Sequence, residues 1–294
     1  MNKLLNLVGS RLVEYGRLIR LDKPIGIWLL LWPTLWALWI AGNGHPREDI
    51  LWIFIAGVVV MRSAGCAVND YADRNIDPHV TRTRDRPLAA KRIRGREAIA
   101  VYLLLSLTAL ALIWPLNWLT RYYAIAGAGL ALAYPFMKRI TSLPQAWLGM
   151  AFSWSIPMAF AALTNSVPEV AWWLFACALL WTVVYDTMYA MADRADDLRA
   201  GVRSTATLFG DWDRWILGIL QLLIIMGLLE VGASLNFGWR YQTGLLAGAG
   251  CFVWQQILIR RRSAPDCFKA FVQSHYFGLC VFLGLVMEYF YGRS

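Results

Sequence analysis

Long apolar stretches with almost no charge dominate this sequence of 294 residues. Nine can be drawn, at residues 25–41, 51–68, 98–114, 122–136, 146–163, 171–185, 215–233, 243–259 and 271–289. One helix needs about 20 such residues to cross a bilayer. The sequence therefore predicts an all-α integral membrane protein, a bundle of nine transmembrane helices. Because 59% of the residues are hydrophobic and 16% are charged, disorder and a coiled coil are excluded, and a soluble enzyme is disfavoured.

The 28 Lys and Arg residues are distributed unevenly between the predicted loops. Segment 1–24 and the loops after the second, fourth, sixth and eighth stretches hold 23 of them, whereas the intervening loops hold 4. Because cytoplasmic loops carry an excess of Lys and Arg, we expect the N-terminus and these loops at the cytoplasmic face of a bacterial inner membrane. The whole chain, 1–294, is expected to form one membrane domain. The rule also accounts for the net charge of +9, so neither a nucleic-acid nor a protein partner is indicated.

Seven of the 19 acidic residues lie in two short segments. We call residues 69–77 (N-D-Y-A-D-R-N-I-D) the first acidic segment and residues 186–197 (D-T-M-Y-A-M-A-D-R-A-D-D) the second. Each begins where an apolar stretch meets a loop assigned to the cytoplasm. At about 100° per residue, three acids of each segment fall on one stripe if the helix continues. These are Asp70, Asp73 and Asp77 in the first segment, and Asp186, Asp193 and Asp197 in the second.

Stacked carboxylates repel one another, and divalent cations would relieve that repulsion. Mg²⁺ prefers carboxylate and phosphate oxygens, and two such ions would bind a diphosphate and stabilise its departure. A-D-R-N-I-D (72–77) aligns with A-D-R-A-D-D (192–197) at an offset of 120 residues. This similarity predicts a repeat of four helices, with the two stripes facing each other across a cavity.

Other interpretations of the charged residues remain open. Neighbours such as Asp70 and Arg74 could pair along a solvated rim, and a cation or metabolite transporter could use the acids as an ion site. Arg62 lies inside the second stretch, where a charge is costly and usually functional. It could instead pair with an acid of either segment or extend toward the interface. A diphosphate at the mouth of the bundle indicates a lipid tail directed inward, among abundant aromatic residues.

The two acidic segments carry a resemblance to the UbiA family of intramembrane aromatic prenyltransferases. That family has N-D-x-x-D-x-x-x-D followed by D-x-x-x-D. Further similar segments are R-L-D-K-P-I-G (20–26), R-S-A-G-C (62–66), Y-P-F-M-K-R (134–139) and G-V-R-S-T-A (201–206). They are most similar to the branch that prenylates 4-hydroxybenzoate in ubiquinone biosynthesis. Related branches, of the menaquinone or haem O type, remain the alternative.

The resemblance implies transfer of a polyprenyl group from its diphosphate to the 3-position of 4-hydroxybenzoate, assisted by Mg²⁺. It implies that Lys23 faces the aromatic acid and that Lys138, with Arg139 as a companion, binds the diphosphate. Arg62 and Arg74 are further candidates for substrate binding, and Asp186 and Tyr189 lie on the same predicted stripe. The implied metal ligands, whose carboxylates are also the candidate catalytic groups, are Asn69, Asp70, Asp73, Asp77, Asp193 and Asp197.

Overall fold

The structure, a computed structural model, describes residues 11–137 and 139–292. Within these ranges the chain is helical and contains no strand. The helices are α1 (described over 11–18), α2 (Ile25–Ala41), α3 (Glu48–Asp73), α4 (Gly95–Ile113), α5 (Trp118–Met137), α6 (Pro144–Ser153), α7 (Ser155–Thr164), α8 (Glu169–Ala200), α9 (Thr205–Phe209), α10 (Asp213–Ser234), α11 (Trp239–Leu258), α12 (Ala264–Gln273) and α13 (His275–Tyr291).

Each predicted apolar stretch overlaps one helix or two consecutive helices, and only Trp114, Trp154, Ile259 and Ser274 lie outside them. Six helical regions are long and apolar enough to cross a membrane by length and composition. Three of these regions consist of consecutive helices separated by a short break, as between α6 and α7. Pro157 has no N–H for the carbonyl of Ser153, four residues earlier, and α6 ends at Ser153. The protein is therefore a multi-pass membrane protein.

Helix α8 is 32 residues long. At 1.5 Å per residue it extends about 48 Å, well beyond a hydrocarbon core of about 30 Å. The excess length carries the second acidic segment as a helix, as the sequence predicts. The helix ends at Gly201, whose backbone is left-handed (φ 66°) and whose N–H bonds to the carbonyl of Asp197.

Helix α3 does not continue through the whole first acidic segment. It ends at Asp73, and Asp77 begins a separate one-turn 3₁₀ helix, Asp77–His79. The predicted single stripe of three acids is therefore wrong for Asp77. Pro78 contributes to the break, because it has no N–H to continue the α-helical hydrogen bonds to the carbonyl of Arg74, four residues earlier.

The main core lies where α2, α8 and α13 meet. Trp36 stacks on Trp181 with 5.5 Å between ring centroids, and Phe277 packs on both. Helix α4, by contrast, buries only Ala98. The helices between this core and α4 enclose a long internal space instead of packing tightly. That space positions the candidate site.

Candidate active site

A cavity of about 1250 Å³ runs through the first half of the bundle. Its walls come from α2 to α8 and from α12 and α13, and they are mostly apolar. Along α3 it extends from Asn69 to Ile53, which corresponds to about 24 Å at 1.5 Å per residue. The space is larger than a typical small-molecule pocket, and its length suits an extended apolar chain.

A second cavity, of about 140 Å³, adjoins the first at the end of α3 and α8. Both acidic segments contribute to its wall, so the structure brings them together as the internal similarity predicts. The two cavities share part of their lining, and a ligand can therefore contact both at once. The shared residues are Asn69, Arg82, Arg86, Tyr134, Asp186 and Tyr189.

Arginines neutralise the first acidic segment. Asp70 is fully buried, and its Oδ1 lies 2.7 Å from Arg20 and 3.2 Å from Arg86. Arg86 also contacts Asp77 at 2.9 Å, which returns this acid to the site although it lies outside α3. Burial alone would lower the pKa of the Arg86 guanidinium, but the charges of Asp70 and Asp77 hold that pKa above its ordinary value. Arg86 is therefore a permanent cation between two acids.

A neighbouring arginine joins the same loop to the second acidic segment. Arg82 makes a bidentate pair with Asp193, with 2.9 Å from its Nε to Oδ1. Its guanidinium also lies over the ring of Tyr189, 4.1 Å from the centroid. The backbone N–H of Thr81 donates to Asp196 at 3.1 Å. Segment 74–94 thus covers the small cavity and contacts both acidic segments.

The carboxylates do not converge on a ready-made metal site. Among the described residues, no group of three or more His, Cys, Asp or Glu side chains lies close enough to hold a metal ion. The arginine pairs explain this, because each guanidinium occupies space and charge that a cation would take. Asp70 Oδ2 is nevertheless buried and accepts no hydrogen bond within the described ranges. Within the same ranges Asp70 itself lines neither cavity, but this oxygen lacks a hydrogen-bond partner and carboxylate oxygens suit a hard cation.

Arg62 is a cation inside the large cavity. Its guanidinium lies directly against the backbone of Gly26, where an added Cβ would fall 2.1 Å from Nε, and it lies 5.6 Å from the ring centroid of Phe152. Within the described part of the chain it makes no ion pair or hydrogen bond. No ion pair with an acid of either segment is therefore observed in this part of the chain, although the charge of Asp186 acts on Arg62 through space. A half-buried guanidinium of this kind suits an anionic ligand.

The other predicted cations divide into two groups. Lys23 is exposed and lines the mouth of the large cavity. Arg74 and Arg139 line neither cavity: Arg74 lies 4.3 Å over the ring of Tyr71, and Arg139 donates to the carbonyl of Ala72 at 2.5 Å. Their predicted role in substrate binding finds no support here, because each side chain is turned back onto its own helix end or a neighbouring one. Lys138 lies outside the described residues.

Three residues of the site were missed by sequence reasoning. Arg82 and Arg86 were counted only as part of the cytoplasmic positive charge, and Arg20 was given no role although it begins the similar segment 20–26. The alternation R-T-R-D-R (82–86) is weakly informative, because Arg82 and Arg86 line both cavities while Arg84 lines neither. No local pattern identifies Arg20, which reaches Asp70 across 50 residues of sequence from a left-handed backbone position (φ 61°).

Known proteins resemble this chain over almost its whole length. A protein from Methylococcus capsulatus named 4-hydroxybenzoate octaprenyltransferase is 54% identical over 282 residues, covering 96% of this chain and 97% of the relative. A protein of the same name from Coxiella burnetii is also 54% identical, covering 95% and 98%. The model of the UbiA prenyltransferase family matches residues 30–284.

Solved structures share the fold. The apo structure of a UbiA homologue from Aeropyrum pernix superposes with a TM-score of 0.78 at 21% identity, covering 89% of this chain and 97% of the homologue. A UbiA homologue from Archaeoglobus fulgidus bound to GPP and Mg²⁺ gives 0.71 at 15% identity, covering 92% and 99%. The family match and the close relatives together show that this chain belongs to the UbiA prenyltransferase family.

Proposed function

We propose that this protein transfers a polyprenyl group from polyprenyl diphosphate to the 3-position of 4-hydroxybenzoate, a membrane step of ubiquinone biosynthesis. One observation carries the proposal: a small polar cavity lined by both acidic segments opens onto a long apolar cavity. The first suits a diphosphate and the second suits its isoprenoid tail. The relatives at 54% identity are named for this activity.

The metal in this proposal is Mg²⁺, which a homologue of the same fold binds together with GPP. When bound, it supplies positive charge that stabilises the departing diphosphate. The buried, unbonded Oδ2 of Asp70 supports the fit, and so do the oxygen-rich walls. Six side chains would hold the metal: Asn69, Asp70, Asp73, Asp77, Asp193 and Asp197.

Cations of this chain would hold the diphosphate in place. Arg82 and Arg86 line the small cavity, and they are free to bind phosphate oxygens as the acids take up metal. Guanidinium groups suit this task because their paired N–H donors match two phosphate oxygens. Lys138, with Arg139 as companion, remains a candidate on the strength of the resemblance.

The aromatic acid would bind beside the departing group with its carboxylate on a cation. Arg62 is half-buried in the large cavity and makes no ion pair within 4 Å among the described residues, although the charge of Asp186 in the same lining acts on it. It supports this role together with Lys23 at the mouth. Asp186 and Tyr189 line both cavities and would orient the phenol ring between them. A dry apolar wall favours attack by the ring over attack by water.

The reaction balances without an external oxidant or reductant. The allylic C–O bond breaks and diphosphate leaves with the bonding electrons. The ring carbon next to the phenolic hydroxyl bonds to the allylic carbon, and its proton leaves to water or to the released diphosphate. The chain orients the two reactants and excludes solvent from the allylic cation.

The proposal includes a topology. The six regions that could cross a membrane, together with α2, α5 and α11, would make nine crossings in one domain, 1–294. Segment 1–24 and the loops around 69–97 and 186–214 would then lie at the cytoplasmic face of a bacterial inner membrane. The excess of Lys and Arg in these regions supports that orientation.

The test is an assay of the purified protein in lipid vesicles. 4-Hydroxybenzoate and farnesyl diphosphate should give a 3-prenylated acid that needs Mg²⁺, whereas phenol, which lacks the carboxylate, should react poorly. Arg62→Gln and Lys23→Gln should raise the KM for the acid more than the KM for the donor. Arg84→Gln, which alters an exposed arginine of the same loop as the site, is the control. No product from 4-hydroxybenzoate would refute the proposal.

A further inference from the structure

Two glycines of α3 lie in the wall of the large cavity without any packing reason to be glycine. A Cβ added at Gly57 or at Gly65 would meet no atom of the described chain within 4 Å. Both residues line the cavity, and both lie inside a helix, where glycine is less favourable than alanine. Neither a tight helix contact nor a turn accounts for them, so the space itself is the feature that needs explanation.

Residues of α4 line the same space as these two glycines of α3. Near their cytoplasmic ends the helices touch, since a Cβ at Gly95 would lie 3.0 Å from the ring of Tyr71. Gly57 lies 14 residues before Tyr71 on α3, and Ala109 lies 14 residues after Gly95 on α4. Because the two helices are antiparallel, Gly57 and Ala109 lie at about the same height in the bundle. Both line the cavity, and no side chain larger than a methyl group projects from either. Small residues on both helices therefore leave the cavity open beside Gly57.

We infer that Gly65 and Gly57 determine how much isoprenoid chain the cavity accepts, at two depths. This inference rests on the proposed function. Gly65 lies four residues from Asn69 and Gly57 lies twelve, which gives depths of about 6 Å and 18 Å along α3. With C–C bonds of about 1.5 Å, an extended isoprenoid unit advances about 5 Å. Gly65 therefore adjoins the second unit of the donor, and Gly57 adjoins the fourth.

The two positions predict different length limits. Leucine at position 65 fills the space for the second unit, so Gly65→Leu should retain dimethylallyl diphosphate and lose geranyl diphosphate and longer donors. Gly57→Leu should retain geranyl and farnesyl diphosphates and lose geranylgeranyl diphosphate. Each loss should be about tenfold or more in kcat/KM, because a filled apolar subsite discriminates on that scale. Accepted donors should stay within about twofold of the unaltered protein.

The experiment measures kcat/KM for this series of four donors, with 4-hydroxybenzoate as acceptor, in lipid vesicles. Gly129→Leu is the matched control, because Gly129 is also a helical glycine with no described atom near its Cβ but is exposed on α5 outside the cavity lining. It should show no length dependence. Gly57→Val provides a second variant if Gly57→Leu accumulates poorly.

The outcomes separate the two proposals. If the unaltered protein uses none of the donors, the proposed function fails. If it uses them all and both leucine variants lose every donor equally, or lose none, the assignment of Gly65 and Gly57 as length determinants fails. A longest accepted donor that is shorter for Gly65→Leu than for Gly57→Leu supports the assignment.

Discussion

Arg86 offers the sharpest test of the charge balance in the site. It pairs with Asp70 and Asp77, which are 0% and 5% exposed. Arg86→Gln therefore leaves two buried carboxylates with less positive charge beside them. Removing one partner of a buried ion pair costs about 3–5 kcal/mol. Asp70 keeps its contact with Arg20 at 2.7 Å, so we expect the lower end, about 3 kcal/mol. For a chain of 294 residues that lowers the melting temperature by about 5 °C.

The assay is thermal unfolding in detergent, followed by the fluorescence of the 16 tryptophans in metal-free buffer. Arg84→Gln is the control, because that side chain is 64% exposed and its acidic neighbour Asp85 lies 4.0 Å away. It should change stability by less than about 0.5 kcal/mol. Equal melting temperatures for Arg86→Gln and Arg84→Gln would refute the argument that Arg86 holds the two acids.

Three further predictions concern stability and activity elsewhere in the bundle. Asp213 is fully buried between Arg194 and Arg262, so Asp213→Asn should cost about 3 kcal/mol in thermal unfolding; an unchanged midpoint would show that the cluster is dispensable. Glu288 accepts hydrogen bonds from two backbone N–H groups at the start of α11. Glu288→Gln should therefore lower the free energy of unfolding by about 1–2 kcal/mol and leave kcat unchanged; a loss of kcat would connect α11 to the site. Gly57→Ala should raise the free energy of unfolding by about 1 kcal/mol and retain farnesyl transfer. A lower free energy of unfolding would contradict this prediction.

The helices could be predicted from the sequence because each apolar stretch must satisfy its backbone hydrogen bonds internally within a bilayer. The second acidic segment was predicted on a helix because nothing between Asp186 and Asp197 interrupts one. The first was extended too far, since Pro78 was not weighed against the spacing of the acids. A proline signal of this kind is local and can be identified from sequence.

Which arginine forms an ion pair with which acid in the site could not be predicted in the same way. Which acid Arg20, Arg82 or Arg86 approaches depends on contacts between segments 9 to 111 residues apart. Charge counting assigns such arginines to a membrane face and not to a partner. Arg74 and Arg139 show the converse, because both adjoin motifs of the site in sequence while their side chains fold back onto backbone carbonyls.

In the proposed mechanism the two acidic segments together hold one metal–diphosphate unit. The most direct measurement is an electron paramagnetic resonance titration of Mn²⁺, as a probe for Mg²⁺, into the purified protein with inorganic diphosphate present. We expect saturable binding that is lost in Asp73→Asn and lost equally in Asp193→Asn, because one site needs both segments. Undiminished binding in either variant would contradict this mechanism.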